Sequence, residues 1–202
     1  MKKTNQYGFT LIELMIATTV FSVFLLLITF MTIRIGKLFQ KGVIVSRTQE
    51  TARTISSEIS RAIQFSGGDV AFGPSGTNYF ICAGSQRYMY TLGHQLFDSA
   101  PTGTQVSHVL ISDTSPACST TAVNMAAFNP ATQRELIPNR TRLSNLTIQQ
   151  AGKMYTITVR VVYGDDDLLN NPQAINATCK GNQVGTEYCG MSELITTVQK
   201  RL

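Results

Sequence analysis

The chain has 202 residues, the length of one domain or of one domain with an appendage, which excludes a large multidomain enzyme. Its formal net charge is +5, yet charged residues make up only 14% of the chain and no long lysine and arginine cluster occurs. Nucleic acid is therefore not inferred as a specific partner. Apolar residues make up 43%, enough for a hydrophobic core, which excludes a wholly disordered chain.

A long apolar run lies near the N-terminus. Leu14 to Ile33 is a stretch of twenty residues without a charge, and a helix of this length spans roughly 30 Å, the thickness of the hydrocarbon core of a membrane. A secretory signal peptide has a shorter run and a cleavage site of small residues, which this sequence lacks. The sequence therefore predicts one membrane-spanning helix.

A carboxylate, Glu13, directly precedes this run. A charge at the centre of a spanning helix costs about 2.5 to 3.5 kcal/mol, so such a residue is a candidate functional site. Alternatively, Glu13 lies at headgroup depth near the helix N-terminus, where an anion is favoured. The residues that surround Glu13 decide between these interpretations.

The residues around Glu13 form a recognisable signal: Lys2 and Lys3, followed by Gly8-Phe9-Thr10-Leu11-Ile12-Glu13-Leu14. This segment resembles the class III signal of type IV pilins and type II secretion pseudopilins. The resemblance implies that a prepilin peptidase cuts between Gly8 and Phe9 and methylates the new amine. It also implies that the apolar helix is the assembly element, in which Glu13 pairs with the Phe9 amine of a neighbouring subunit or of its own chain.

The resemblance also implies a location. The positive-inside rule alone would place the C-terminal part in the cytoplasm, because more cations follow the apolar run than precede it. In the resembling family, dedicated machinery reads the short leader instead. We therefore expect a single-pass cytoplasmic membrane protein with an exported C-terminal head, which lies in an extracellular filament after assembly.

Helical periodicity continues beyond the apolar run. Apolar or small residues recur every three or four positions at Val45, Thr48, Ala52, Ile55, Ile59 and Ala62. Ser66-Gly67-Gly68 is expected to end this amphipathic helix. Gly36 and Gly42 each lower helix stability by about 1 kcal/mol, so the segment is either one helix that bends there, as the resemblance implies, or two helices joined by a loop.

The remainder of the chain has the pattern of short β-strands. Predicted strands are Tyr79 to Ala83, Arg87 to Leu92, Val106 to Ile111, Leu143 to Gln149, Met154 to Tyr163 and Leu194 to Val198. The clearest hairpin turns at Ala151-Gly152, and residues 112–142 are predicted to be a long loop.

The predicted fold class is α+β, with a long N-terminal helix, first transmembrane and then amphipathic, packed on a C-terminal antiparallel β-sheet. The predicted segments are a leader (1–8), a transmembrane or filament-core helix (9–34), an amphipathic helix (35–66) and a globular β head (67–202).

Four cysteines, Cys82, Cys118, Cys179 and Cys189, lack any C-x-x-C spacing, so disulfides are favoured over a zinc site or a redox motif. Three connectivities are possible. Bridges from Cys82 to Cys118 and from Cys179 to Cys189 need no crossing of the chain, and the C-terminal disulfide loops of type IV pilins favour this pairing by resemblance.

Other candidate sites are weaker. Asp165, Asp166 and Asp167 could offer oxygen ligands, and some pseudopilins hold calcium in a C-terminal loop, but the spacing is not that of an EF-hand, so a solvated turn is favoured. His94 and His108 have no indicated acid partner, and no nucleophile or phosphate-loop motif occurs. We expect no metal, no cofactor and no catalytic activity.

The expected function is that of a minor type IV pilin, a structural subunit that primes or decorates a pilus. Its expected partners are other major and minor pilin subunits, the prepilin peptidase, the pilus assembly platform and, before assembly, the membrane. The large head with long loops favours a minor over a major subunit. The alternatives are a minor pseudopilin of a type II secretion system and a tip adhesin or DNA-binding pilin.

Overall fold

The computed structural model describes residues 8–97, 103, 105–114, 125, 127–181 and 184–201. The chain divides into two compact units, one up to Gln40 and the other from Lys41 onward. The first unit is helical, and the second contains the remainder of the same helix and the described strands.

A single helix, α1, runs over Leu11–Gln64 and continues through Gly36 and Gly42. The alternative of two helices joined by a loop is therefore wrong, because each glycine keeps helical backbone despite its low propensity. The helix ends slightly before the predicted Ser66, whose N–H and hydroxyl both donate to the carbonyl oxygen of Ile63, at 3.3 and 3.1 Å.

The C-terminal part of α1 has one buried face. Its buried residues recur every three or four positions or lie beside one another: Ile44, Thr48, Ala52, Ile55, Ser56, Ile59 and Ile63. The predicted periodicity is confirmed along most of this face. Val45 and Ala62 are only partly buried, because Ile44 and Ile63 occupy the centre of the face instead.

Twelve strands follow α1 in the described residues: β1 (Val70–Ser75), β2 (Asn78–Ala83), β3 (Gln86–Tyr90), β4 (Gln95–Leu96), β5 (Gln105–Val106), β6 (Leu110–Thr114), β7 (Gln133–Glu135), β8 (Thr141–Ala151), β9 (Met154–Tyr163), β10 (Leu169–Asn170), β11 (Thr178–Cys179) and β12 (Gly190–Gln199). Two short 3-10 helices cover Asp166–Leu168 and Thr186–Tyr188.

These strands form two five-stranded sheets and a small ribbon. The first sheet has the order β1-β2-β3-β6-β7 and the second the order β12-β9-β8-β4-β5, while β10 pairs with β11. All pairs are antiparallel except β4 with β5. The sequence predicted one antiparallel sheet, whereas the structure has two large sheets and one parallel pair. The periodicity of a strand identifies its buried face but does not show which distant strand it pairs with.

The hairpin of β8 and β9 is confirmed. Its turn contains Gly152 with a φ of 63°, a left-handed conformation that glycine adopts without strain. Alternate residues of β9 are buried from Tyr155 to Val161, the period of two of a strand with one face on a core: Tyr155, Ile157, Val159 and Val161. Register shifts once between Leu143 and Asn145, where Ser144 forms a bulge.

The predicted loop over residues 112–142 is partly wrong. Strand β6 continues to Thr114, β7 occupies Gln133–Glu135 and β8 begins at Thr141. Strand β1 was also missed, because its Gly73 and Pro74 resemble turn residues. Proline is tolerated there because β1 is an edge strand, whose outer N–H groups need no partner in the sheet.

The main core joins α1 to both sheets. Ile55, Ile59 and Ile63 are fully buried and belong to one apolar cluster with residues from the two sheets. The sheet residues of this cluster include Ile81, Tyr88, Leu143, Leu146, Ile157, Val159 and Val198. A second cluster contains Phe80, Cys82, Met89 and Ile111, so the first sheet also packs on its other face.

Candidate functional site

The N-terminal part of α1 exposes a continuous apolar surface. Its large apolar side chains, from Leu11 to Phe39, are 48–77% exposed. The helix is long and apolar enough to cross a membrane. Burying one such side chain contributes about 1.5 to 3 kcal/mol, so this surface strongly favours an apolar environment, either lipid or other apolar helices.

The hydroxyl groups within this apolar stretch are satisfied by the helix itself. Each donates to a backbone carbonyl oxygen three or four residues earlier, at 2.5 to 3.0 Å. The donors are Thr18, Thr19, Ser22, Thr29 and Thr32. Because a hydroxyl without a partner is costly in an apolar medium, these bonds make the helix compatible with membrane or with a helix core.

Glu13 closes the N-terminus of the helix by a reciprocal pair of contacts with Thr10. The Thr10 N–H and hydroxyl donate to Oε2 of Glu13 at 3.0 and 2.8 Å, and the Glu13 N–H donates to the Thr10 hydroxyl oxygen at 3.3 Å. This arrangement is a capping box, in which Thr10 is the N-cap residue and Glu13 the third helical residue. The role of Thr10 was missed, although the spacing Thr-x-x-Glu before an apolar run indicates it.

The peptide bond between Gly8 and Phe9 lies outside the helix. Gly8, Phe9 and Thr10 have no regular secondary structure, and Phe9 is 80% exposed. A Cβ placed on Gly8 would have no atom within 4 Å. The fold therefore gives no steric reason for glycine at this position, which is compatible with a requirement set by a processing enzyme.

The C-terminal disulfide is present as expected. Cys179 and Cys189 are bonded, with their Cα atoms 5.9 Å apart. Cys189 is buried in a small cluster with Val162 and Leu169, so the bridge links β11 to the second sheet beside the start of β12. The bridge expected between Cys82 and Cys118 stays a prediction, since Cys118 lies outside the described residues.

The acidic residues that follow β9 contact cations of the protein itself. Asp165 lies 3.4 Å from the guanidinium of Arg140, and the backbone carbonyl oxygen of Asp167 accepts a bond from the Lys180 ammonium at 2.7 Å. No group of three or more His, Cys, Asp or Glu side chains within the described ranges could hold a metal ion. These contacts favour a structural role for the loop.

Asp166 has the most buried partner of the three. It accepts a bond at 2.5 Å from Arg142, which is 0% exposed. The same guanidinium donates to the carbonyl oxygens of Pro172 at 2.9 Å, Gly164 at 3.2 Å and Gly93 at 3.4 Å. Arg142 therefore holds together the loops at one end of the second sheet.

The two histidines line one cavity of about 350 Å³. His108 stacks on Phe128, with ring centroids 4.1 Å apart, and its Nδ1 lies 3.5 Å from Oε2 of Glu135. The expectation that no acid accompanies either histidine is therefore wrong for His108. Burial lowers the pKa of His108 and raises the pKa of Glu135, so each group tends toward its neutral form.

The carboxylate of Glu135 is engaged mainly by backbone. It accepts bonds from the N–H groups of Val109, Leu110 and Ile137 at 2.9 to 3.1 Å. These bonds satisfy backbone donors near the start of β6 and just after β7. The position of Glu135 beside His108 therefore follows from the end of the first sheet and indicates a structural role.

Comparisons with known proteins add one finding about the N-terminus. The model of the prokaryotic N-terminal methylation motif matches residues 3–29. Comparisons with curated proteins and with solved structures gave no match. Together with the long N-terminal helix and the β-sheets that follow it, the motif supports a type IV pilin-like protein with an α+β fold.

The motif has general consequences for this class of protein. It points to a structural subunit that is processed by a prepilin peptidase and assembles with other pilin subunits. The exposed apolar helix and the motif are consistent with a membrane-anchored pilin.

Proposed function

We propose that the chain is a minor type IV pilin, a non-enzymatic subunit that helps to prime or decorate a pilus. Supporting this proposal is the methylation motif, which includes the capped N-terminus of a helix with an exposed apolar surface. The membrane holds this helix before assembly, and the assembly platform then transfers it into a core of packed apolar helices. The head is exported, where an oxidising environment preserves its disulfides.

Maturation in this proposal cuts the bond between Gly8 and Phe9 and methylates the amine of Phe9. Of the 202 residues, the eight of the leader are removed and 194 remain. Loss of Lys2 and Lys3 lowers the formal side-chain charge from +5 to +3. Intact mass measurement of protein from membranes tests this step, and a mature chain that begins at any residue other than Phe9 contradicts it.

Glu13 has two roles in this proposal, before and after assembly. In the free chain its carboxylate caps α1 through Thr10. In the filament it pairs with the cationic amine of Phe9, because a carboxylate buried among apolar helices requires an opposite charge.

Three variants separate these two roles. Glu13→Ala should leave a folded, membrane-resident protein that enters filaments poorly. Thr10→Ala removes the hydroxyl of the cap but no charge, so it should assemble nearly as well as wild type. Glu50→Gln is the matched control, since Glu50 is an exposed carboxylate on the same helix. Normal incorporation of Glu13→Ala, or an equal defect in Thr10→Ala, would contradict the pairing of Glu13 with the amine.

The minor role rests on the size of the head. The head, residues 67–202, has 136 residues, and its described strands include two five-stranded sheets. A head of this size is easier to accommodate at a tip or at rare positions than at every position of a shaft. Quantitative mass spectrometry of sheared filaments tests this role. The chain should be far less abundant than the main subunit, and its presence as the dominant component would refute a minor role.

A further inference from the structure

Strand β12 forms one edge of the second sheet. It pairs with β9 over ten consecutive residues, from Gly190 to Gln199, without a shift of register. In an antiparallel pair, about half of the backbone N–H and C=O groups of an edge strand point away from its partner. No described residue makes a hydrogen bond to this outer edge of β12.

The other described sheet edges are poor templates for pairing. Strand β1 contains Gly73 and Pro74, β7 has three residues and β5 has two. Short edges and proline are common means by which proteins prevent unwanted strand pairing. Among the edges of the two large sheets in the described residues, β12 alone is long, regular and free of proline.

Helix α1 follows β12 along the length of the strand. Gly190 at the start of β12 lies against Ile44, the Ser56 hydroxyl donates to the Thr196 hydroxyl at 2.8 Å, and the Arg201 N–H donates to the Gln64 carbonyl at 3.2 Å. Between helix and strand lies an open groove of about 410 Å³. The groove is lined by Arg53, Ser56, Ser57, Ser60, Arg61, Leu194 and Thr196.

Two arginines of α1 line this groove. Arg53 and Arg61 are exposed, and neither forms an ion pair within the described residues. Glu58, the acidic residue between them, instead pairs with Arg134 at 2.6 Å. Eight residues separate the two arginines, about 12 Å along a helix. An extended strand covers about 13 Å in four residues, and residues four apart lie on the same face.

We propose that the groove binds an extended segment of another protein, which adds to β12 as a strand. Two acidic side chains of this segment, four residues apart, contact Arg53 and Arg61. A second copy of β12 fits poorly, because its only acid, Glu193, pairs with Arg160 and the strand is followed by Lys200 and Arg201. The site goes beyond the proposed function, since it does not depend on entry of the helix into a filament.

Synthetic peptides test this proposal with the full chain in detergent micelles. The probe is a fluorescent ten-residue peptide of alternating valine and threonine with glutamate at positions 3 and 7. It should bind and slow hydrogen exchange of the β12 amides. A peptide with glutamine at both positions should bind more weakly, on the order of fivefold. A peptide with glutamates at positions 3 and 6 should be weakened to the same extent, because these two side chains lie on opposite faces of the strand. N-methylation of alternate residues should abolish binding, because it removes backbone donors.

Variants of the chain supply the complementary test. The double variant Arg53→Gln, Arg61→Gln should bind the two-glutamate probe as weakly as wild type binds the glutamine peptide. Arg47→Gln is the matched control, because Arg47 is an exposed arginine of the same helix outside the groove. Circular dichroism checks that each variant is folded.

Four results would overturn the proposal. These are a failure of the probe to bind, undiminished binding of the N-methylated peptide, and equal binding by the double variant. The fourth is self-association of the chain that the probe displaces, which would make a second copy the occupant.

Discussion

Replacing Gly190 by alanine should strain the contact between β12 and α1. A Cβ at Gly190 would lie 2.7 Å from Cγ2 of Ile44, and 3.4 Å from both the carbonyl carbon of Ile44 and the backbone nitrogen of Val45. Cγ2 is bonded directly to the branched Cβ of isoleucine, so it moves only with a change of rotamer or a shift of backbone. The strand and the helix must therefore separate by several tenths of an ångström.

The expected cost of this substitution follows from the packing of the site. Ile44 is 7% exposed, so little free space is available, and overpacking of this kind costs about 1 to 3 kcal/mol. For a unit of this size, 1 kcal/mol lowers the melting temperature by about 2 to 4 °C. Thermal unfolding followed by circular dichroism should therefore show a decrease of about 2 to 12 °C. Gly67→Ala is the matched control, because nothing lies within 4 Å of a Cβ at Gly67.

A second substitution identifies the atoms responsible. Ile44→Ala alone should cost about 2 to 5 kcal/mol, because it leaves a cavity. In the double variant, the Cβ at position 190 occupies part of that cavity and no longer meets Cγ2. The double variant should therefore be more stable than the sum of the two single effects predicts, by about 1 kcal/mol or more. Additive effects, or a Gly190→Ala variant as stable as wild type, would refute this reasoning.

Three further predictions concern the head. Peptide mapping without reduction should find Cys82 bridged to Cys118, and free thiols at these positions would contradict the pairing. Arg142→Met should lower the free energy of unfolding by about 1 to 3 kcal/mol, because it removes the donor of the hydrogen bonds to the carbonyl oxygens of Gly93 and Pro172. Chemical denaturation measures this loss, and an unchanged free energy of unfolding would contradict the structural role of Arg142. Burial raises the pKa of Asp113, but hydrogen bonds including those from Arg87 outweigh it and lower the pKa overall. The resulting stability is present above the carboxyl pKa of the unfolded chain, about 3.9, and is lost as the pH falls through the lower folded value. Arg87→Met should therefore lower the free energy of unfolding at neutral pH, and the difference in this free energy between the variant and wild type should shrink below about pH 4. A difference that does not change with pH would contradict this prediction.

Local patterns made the helix and the main hairpin predictable from sequence. The face of α1 through Ala52, Ile55 and Ile59 has the helical period, and β9 has a period of two from Tyr155 to Val161. Both signals arise from neighbours along the chain. The short strands around Gly73 and Gln133 lack such a signal, because Gly73 and Pro74 resemble turn residues and the three residues of β7 are too few to show a period.

The N-terminal signal was predictable from the sequence, whereas the contacts within the head were not. The signal around Gly8 and Glu13 is specific in sequence, since each position is constrained before the apolar run. In contrast, the ties formed by Arg142 and the groove beside β12 depend on segments that lie far apart in sequence. Charge and composition alone could not place these segments together.

The hydroxyl groups of the apolar stretch have a consequence for motion. Because these groups already bond to their own backbone, the described surface between Leu14 and Ile33 presents no strong donor that must find a partner on a neighbouring helix. Sliding or rotation of this segment against other apolar helices therefore breaks no hydrogen bond. Glu13 and Arg34, the charged residues at its two ends, favour one depth in an apolar layer, whereas none of these hydroxyl groups fixes the rotation of the segment about the helix axis.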